Sequence, residues 1–212
     1  MTAEEPLKTI IAPASARLTD RGSRFYAFAF PVMDFESIEN RRTEVTKKFP
    51  DATHHCYAWR MDPFSPQEFT QDDGEPGSTA GMPILGVIKS EGLINVLIIV
   101  ARYFGGTKLG KPGLIHAYRE SAQLALADVQ TTHLDRFVPL DIRYPYEQEN
   151  RIRELINRFR LETGDETYLE QVSLTLFCRS ADFPEIRGIL DHLSYLGIRY
   201  SAQPECFRPS GA

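Results

Sequence analysis

The chain has 212 residues, of which 42% are hydrophobic and 25% charged, and its formal net charge is −5. That composition belongs to a globular protein rather than a disordered one, with room for one large domain or two small ones. The acidic balance gives no long-range pull on nucleic acid, so any such binding would need a local basic patch.

The start, Met1-Thr2-Ala3-Glu4-Glu5, is acidic and has no basic stretch leading into an apolar one, which predicts no secretory signal. Phe25 to Val32 reads as a strand. Asp34 then suits the N-cap of a helix whose inner face is Phe35, Ile38, Val45 and Phe49. Thr53 to Met61 is a second strand. The polar stretch from Asp62 to Asp73, with two prolines, is expected to be a mobile loop. Asn95 to Ala101 is apolar on both faces and reads as a fully buried strand. Its neighbourhood is the longest apolar stretch and falls far short of the roughly 20 residues of a membrane span, so no membrane partner is expected. Pro112 fits the first turn of a helix carrying Ile115, Tyr118, Ala122 and Ala125 on one side.

Beyond His133 the composition shifts to a compact alternation of strands and helices. Val138 to Ile142 reads as a strand, and Ile152, Leu155, Ile156 and Phe159 recur at helical spacing. A short strand near Thr167–Leu169 precedes Glu170–Cys178, where Val172, Leu174 and Leu176 alternate on one face. Ile186, Ile189, Leu190 and Leu193 mark a second helix, and Ile198 to Ser201 closes with a strand. This is a β-α-β-β-α-β unit of the ferredoxin-like kind, with one sheet face left open. The expected fold is therefore α+β in two domains, residues 1–136 and 137–212. The three cysteines, Cys56, Cys178 and Cys206, are odd in number and lack metal-ligand spacing. That usage suits a reducing cytosol and predicts a cytoplasmic protein.

Three dense segments carry the candidate chemistry. Gly105-x4-Gly110-Lys111 lies between a buried strand and a helix, as a phosphate loop does, but the next residue is Pro112, with no hydroxyl for magnesium and no N–H for a phosphate. Nucleotide hydrolysis is disfavoured on that ground. Gly105, Gly106 and Gly110 would still expose backbone N–H groups near Arg102, Lys108 and Lys111 and so hold an anion, or else serve only tight turns. Asp72, Asp73 and Glu75 offer carboxylates to a cation, or cap the helix that follows. His54 and His55 are strand neighbours that point to opposite faces and do not readily share an ion. A hydrolase would use Ser78 or Thr79 as nucleophile, a histidine of that pair as base and Asp72 or Asp73 to orient it, although no nucleophile elbow is present.

Taken together, Asp72-Asp73-Gly74-Glu75-Pro76, Thr79-Ala80-Gly81, Pro83-Ile84-Leu85 and Arg102-Tyr103-Phe104-Gly105-Gly106-x-Lys108-Leu109-Gly110 resemble the YigZ/IMPACT family. His54-His55-Cys56-Tyr57-Ala58 and Arg21-Gly22-Ser23-Arg24-Phe25 fit the same pattern, and the match covers roughly residues 20 to 130. The tail resembles the extra domain of the bacterial, YigZ-like branch. The chain departs from the family at Pro76-Gly77-Ser78-Thr79, where the hydroxyl is displaced by one position, and at Pro112-Gly113 and His116. The resemblance implies an N-terminal domain akin to domain IV of elongation factor G and a C-terminal one akin to its domain V, domains that contact the ribosome and RNA. For the eukaryotic branch it implies regulation of a translation-control kinase through a ribosome-associated co-activator.

The expectation is a non-enzymatic protein that binds RNA or the ribosome, or a protein partner in translation control, and modulates translation. Arg24, Arg60, Arg102, Lys108, Lys111 and Arg119 would contact phosphate, while Tyr57, Trp59, Tyr103 and Phe104 would stack bases or pack in the core. No catalytic residue, metal or cofactor is assigned. A hydrolase using Ser78 or Thr79 and a protein-only interaction module are the alternatives.

Overall fold

The computed structural model describes residues 7–210, so the acidic start Met1–Glu5 lies outside the described residues. The chain divides into two compact units, Met1–His133 and Leu134–Ala212. Both are built of sheet and helix, which makes this a two-domain α+β protein.

In the first unit β1 (Lys8–Ile10) is followed by β2 (Ala14–Asp20), β3 (Ser23–Pro31), α1 (Phe35–Lys48), β4 (His54–Met61) and β5 (Gln67–Gln71). Then come α2 (Gly81–Ser90), β6 (Val96–Tyr103) and α3 (Gly110–Leu126). The next strand, β7, runs from Thr131 to Tyr144, and its first three residues pair with β1. The main sheet has the order β2-β3-β6-β4-β5, antiparallel at every step. Strand β6 lies at its centre and is covered on both sides, which is why its sequence is apolar on both faces. On one face α2 and α3 pack Ile84, Ile88, Leu114 and Tyr118 against Phe25, Ala27, Ile98 and Val100. On the other, α1 sets Ile38 and Val45 against Phe28, Trp59, Leu97 and Ile99.

The start of α1 follows from its sequence. Asp34 accepts the Ser37 N–H at 2.7 Å, and the Ser37 hydroxyl oxygen accepts the Asp34 N–H at 3.2 Å, a reciprocal cap. Phe35, expected on the inner face, is exposed and meets Trp59 edge to face, with ring centroids 5.6 Å apart. The stretch expected to be one mobile loop contains β5, whose Phe69 stacks on Trp59 at 5.8 Å. Cross-strand ring contact overrides its polar composition. In α3 Tyr118, Ala122 and Ala125 are buried, and at the head of that face it is Leu114 that is buried, with Ile115 half-buried beside it.

The second unit takes β7 from Leu134 onward, then α4 (Glu149–Phe159), β8 (Glu162–Tyr168), β9 (Val172–Arg179), α5 (Phe183–Leu193), β10 (Arg199–Ala202) and β11 (Cys206–Pro209). Strands pair in the order β10-β7-β9-β8, the ferredoxin-like arrangement, and β11 adds to the early part of β7. Ile152, Leu155, Ile186 and Leu190 cover Leu140, Ile142, Leu174 and Leu176. The opposite face presents Asp141, Arg143, Ser173 and Thr175, half-buried or exposed.

Candidate functional site

The three dense segments meet at one end of the first unit's sheet. There β2 turns into β3, β4 begins, β5 and β6 end, and α2 and α3 start. The β2–β3 turn has only Arg21 and Gly22 between the paired residues Asp20 and Ser23. Both have positive φ, +45° and +82°, the twist that a two-residue hairpin turn requires. Gly105 lies against this turn so closely that a Cβ on it would come 1.9 Å from the Gly22 carbonyl carbon. Only glycine permits that approach.

Hydrogen bonds hold the closure. The Ser23 hydroxyl oxygen accepts from the Gly105 N–H at 3.2 Å and from Arg102 Nη2 at 3.3 Å. The Phe104 N–H donates to Thr53 Oγ1 at 3.2 Å, and the Thr53 N–H donates to the Arg102 carbonyl at 2.7 Å.

The acidic loop is a structural clamp. Asp72 accepts three backbone N–H groups, from Ser78 at 2.7 Å on one oxygen and from Ala80 and Gly81 at 3.0 and 2.8 Å on the other. These are donors at the start of α2 that have no partner inside the helix, and an anion there also meets the positive end of the helix dipole. Asp73 binds back to β4: its carboxylate accepts the His55 N–H at 2.6 Å, and its carbonyl lies 2.6 Å from His54 Nδ1. Among the described residues no group of three or more His, Cys, Asp or Glu is arranged to hold a metal ion.

Beneath the loops lies a buried polar chain. Glu75 accepts from Arg102 Nη1 at 2.5 Å and from the Tyr118 hydroxyl at 2.8 Å, both on Oε1. The Cys56 thiol approaches Tyr118 Oη at 3.3 Å, and His54 Nε2 is 3.9 Å from Glu75. Burial is the main force that pushes the Cys56 thiol and the Tyr118 phenol up from their ordinary values, so both stay protonated. Tyr118, Ser23 and Thr53 were not among the expected site residues. A signal was present in Tyr118, a phenol on the inner face of a helix, since a buried hydroxyl seeks a partner.

The six expected phosphate contacts divide by location. Arg24 follows the closed turn in the chain and Lys108 and Lys111 follow Gly105; all three are exposed, with the Arg24 guanidinium 5.0 Å from the Tyr103 ring centroid. Lys108 and Lys111 have no acidic partner among the described residues, and the first turn of α3 carries no acid. Arg102 is only 4% exposed and bound to Glu75, beneath this surface rather than on it. Arg60 does not join the group. It lies six residues along β4 from His54, about 20 Å at ordinary strand rise, paired with Glu68 at 3.3 Å and donating to the Leu93 carbonyl. Arg119 is exposed farther along α3.

The glycines serve turns as well as exposing backbone: Gly106 and Gly110 have φ of +84° and +70°. Ser78 is exposed, also with positive φ, while the Thr79 hydroxyl is buried and donates to the Pro76 carbonyl at 2.6 Å. The His55 ring turns away to the Phe49 carbonyl, 3.0 Å from Nε2, and the His54 ring to Asp73. Neither histidine bonds to a hydroxyl of Ser78 or Thr79, so the arrangement a hydrolase would need is not assembled. Of the aromatic residues, Tyr57 and Trp59 are buried, Tyr103 half-buried and Phe104 exposed.

Comparison with known proteins matches residues 21–126 to the Impact N-terminal domain. The chain is 38% identical over 149 residues to an IMPACT family member of Thermus thermophilus, covering 70% of this chain and 79% of that protein. It is 32% identical over 166 residues to the IMPACT family member YvyE of Bacillus subtilis, covering 73% and 76% respectively. With the rat Protein IMPACT it shares 34% identity over 104 residues, 48% of this chain and 33% of that one. A crystal structure described only as that of a hypothetical protein superposes with a TM-score of 0.67 at 27% identity, covering 95% of this chain and 99% of the other.

Proposed function

The chain belongs to the IMPACT family, and from that premise we propose that it is a cytoplasmic, non-enzymatic binding protein that modulates translation by contacting RNA, alone or within the ribosome. The contact is made at the end of the N-terminal sheet. One observation supports the reading: Arg24, just after the Gly22 turn, and Lys108 and Lys111, just after Gly105, are exposed and have no acidic partner among the described residues, in a chain whose net charge is −5. Cations left unneutralised in an acidic protein are placed to meet an external anion. The uncapped first turn of α3 adds backbone N–H groups at Gly110 and Lys111. Arg102 and Glu75 act from below by holding the loop, not by touching phosphate.

The test is RNA binding by the Lys108→Ala, Lys111→Ala double variant over a range of salt. Two lost phosphate contacts should lower the slope of log affinity against log salt by about 1.4 on a single strand. Affinity and slope both equal to those of the native chain would remove this loop from the account. The net charge of −5 favours a second reading, a protein-only interaction module. Salt-insensitive capture of a protein partner, with no RNA retained, would support it.

A further inference from the structure

The sheet face that carries α1 is only partly covered by it. α1 ends at Lys48, and beyond it strands β2, β3 and β6 continue to the end where the loops meet. Cross-strand register puts rows of side chains on this uncovered strip. Arg17 is opposite Tyr26, Thr19 is opposite Arg24, and Arg24 is in turn opposite Tyr103. Rows two residues apart are about 7 Å apart along the strands.

Cations and rings alternate across the strip. The Arg17 guanidinium lies 5.5 Å from the Tyr26 ring centroid and that of Arg24 lies 5.0 Å from Tyr103. Tyr26 and Tyr103 meet edge to face at 6.0 Å. Phe49, just past α1, packs on Tyr26 at 4.9 Å, and Lys48 Nζ stands 5.9 Å from Phe49. Arg17, Arg24 and Lys48 are exposed, and the three rings are half-buried. None of the three cations has an acidic partner among the described residues. Glu44, which lines the adjoining groove with Lys48, is already paired with Arg41 at 2.7 Å.

We propose that this strip, Arg17, Arg24 and Lys48 set over Tyr26, Tyr103 and Phe49, is a track for single-stranded RNA. Unneutralised cations on a chain of net charge −5 select an anionic partner. The rings narrow the class further. A duplex keeps its bases stacked on one another and presents phosphate alone, so it would use the cations and leave the tyrosines idle. A single strand offers both groups the strip is built for: phosphates for the cations, and unstacked bases for the rings and guanidinium planes. The inference rests on the RNA-binding reading above and shares Arg24 with it. Its test therefore uses Arg17, Lys48 and Tyr26, which take no part in the glycine loop.

The experiment measures binding of the full chain to a twelve-nucleotide single-stranded RNA of mixed sequence and to a duplex of the same length, over a range of salt. The native protein should bind the single strand more tightly. Arg17→Ala with Lys48→Ala should lower the salt slope by about 1.4. Tyr26→Leu should weaken binding about tenfold with the slope unchanged, because a stack rather than a charge is lost. Tyr26→Phe, which keeps the ring, should bind as the native chain does. Thermal melting of each variant checks that it is folded. Native affinity and slope in the Arg17→Ala, Lys48→Ala variant, or a preference for the duplex, would overturn the proposal. Loss confined to the Lys108→Ala, Lys111→Ala variant would remove the strip and leave the loop, and loss confined to the strip variants would do the reverse. No RNA bound by the native chain would end both.

Discussion

Glu75 and Arg102 form an ion pair of 2.5 Å in which the two side chains are 3% and 5% exposed. The pair ties the acidic loop to the end of the central strand, and the Tyr118 hydroxyl from α3 donates to the same carboxylate oxygen. Three elements distant in sequence thus share one buried charge. Removing one member of such a pair leaves the other desolvated and uncompensated, which typically costs about 3–5 kcal/mol. Glu75→Ala should destabilise the first unit by that amount in urea unfolding. Glu75→Ala combined with Arg102→Met should recover a good part of it, since no charge then remains buried. A double variant as unstable as the sum of the single ones would refute the coupling.

How much of this was legible in the sequence differs by element. Asp34, the alternation Val172-Leu174-Leu176 and the helical repeat of Ile186 and Leu190 each state a local preference that tertiary packing agrees with. Strand β5 was not legible because its sequence, Gln67-Glu68-Phe69-Thr70-Gln71, is polar. It is held by contacts across to β4: backbone pairing, Phe69 stacked against Tyr57 and Trp59, and Glu68 paired with Arg60. At the site, the glycines and acids marked where loops meet, but not which charges would be spent inside. Arg102 reads as a surface cation because its partner, Glu75, is 27 residues away. Sequence spacing carries no sign of a pairing made across a fold.

Asp72 gathers three backbone N–H groups at the head of α2. Asp72→Ala should cost about 2 kcal/mol, the upper end for loss of a helix cap, and Asp72→Asn distinctly less because its amide oxygen still accepts. Urea midpoints of the two variants check this. With its carboxylate committed to amides, Asp72 is not available to a cation, so magnesium should leave the melting temperature of the native chain unchanged. A rise would reopen the metal reading of the loop.

Gly105 and Gly106 make a paired test of the loop. A Cβ at Gly105 would meet the Gly22 carbonyl carbon at 1.9 Å, whereas one at Gly106 would find open space, with only the positive φ of +84° to resist it. Gly106→Ala should therefore cost about 1 kcal/mol, the usual penalty for the left-handed region. Gly105→Ala must displace backbone, and should cost about 3 kcal/mol or open the loop outright. Hydrogen exchange at the Gly105 amide, which donates to Ser23, reports the opening directly. Equal effects from the two substitutions would show that the close approach is not made in solution.

The buried thiols predict an alkaline limit to stability. Burial pushes the Cys178 thiol up from 9.0 to about 11, and burial pushes the Cys56 thiol up as well. An unfolded thiol begins to ionise near 9, while the folded ones keep their protons. Above that pH the unfolded chain therefore binds fewer protons, and stability falls as pH rises. The contribution is whole below about pH 9 and, for Cys178, is lost as pH passes through about 11. Urea midpoints taken under reducing conditions should be level between pH 7 and 8.5 and decline between pH 9 and 10. The Cys56→Ala, Cys178→Ala variant should begin from a lower midpoint, because two packed side chains are truncated, but decline less steeply over that interval. A native midpoint that stays level to pH 10 would mean that the two thiols reach water in the folded chain.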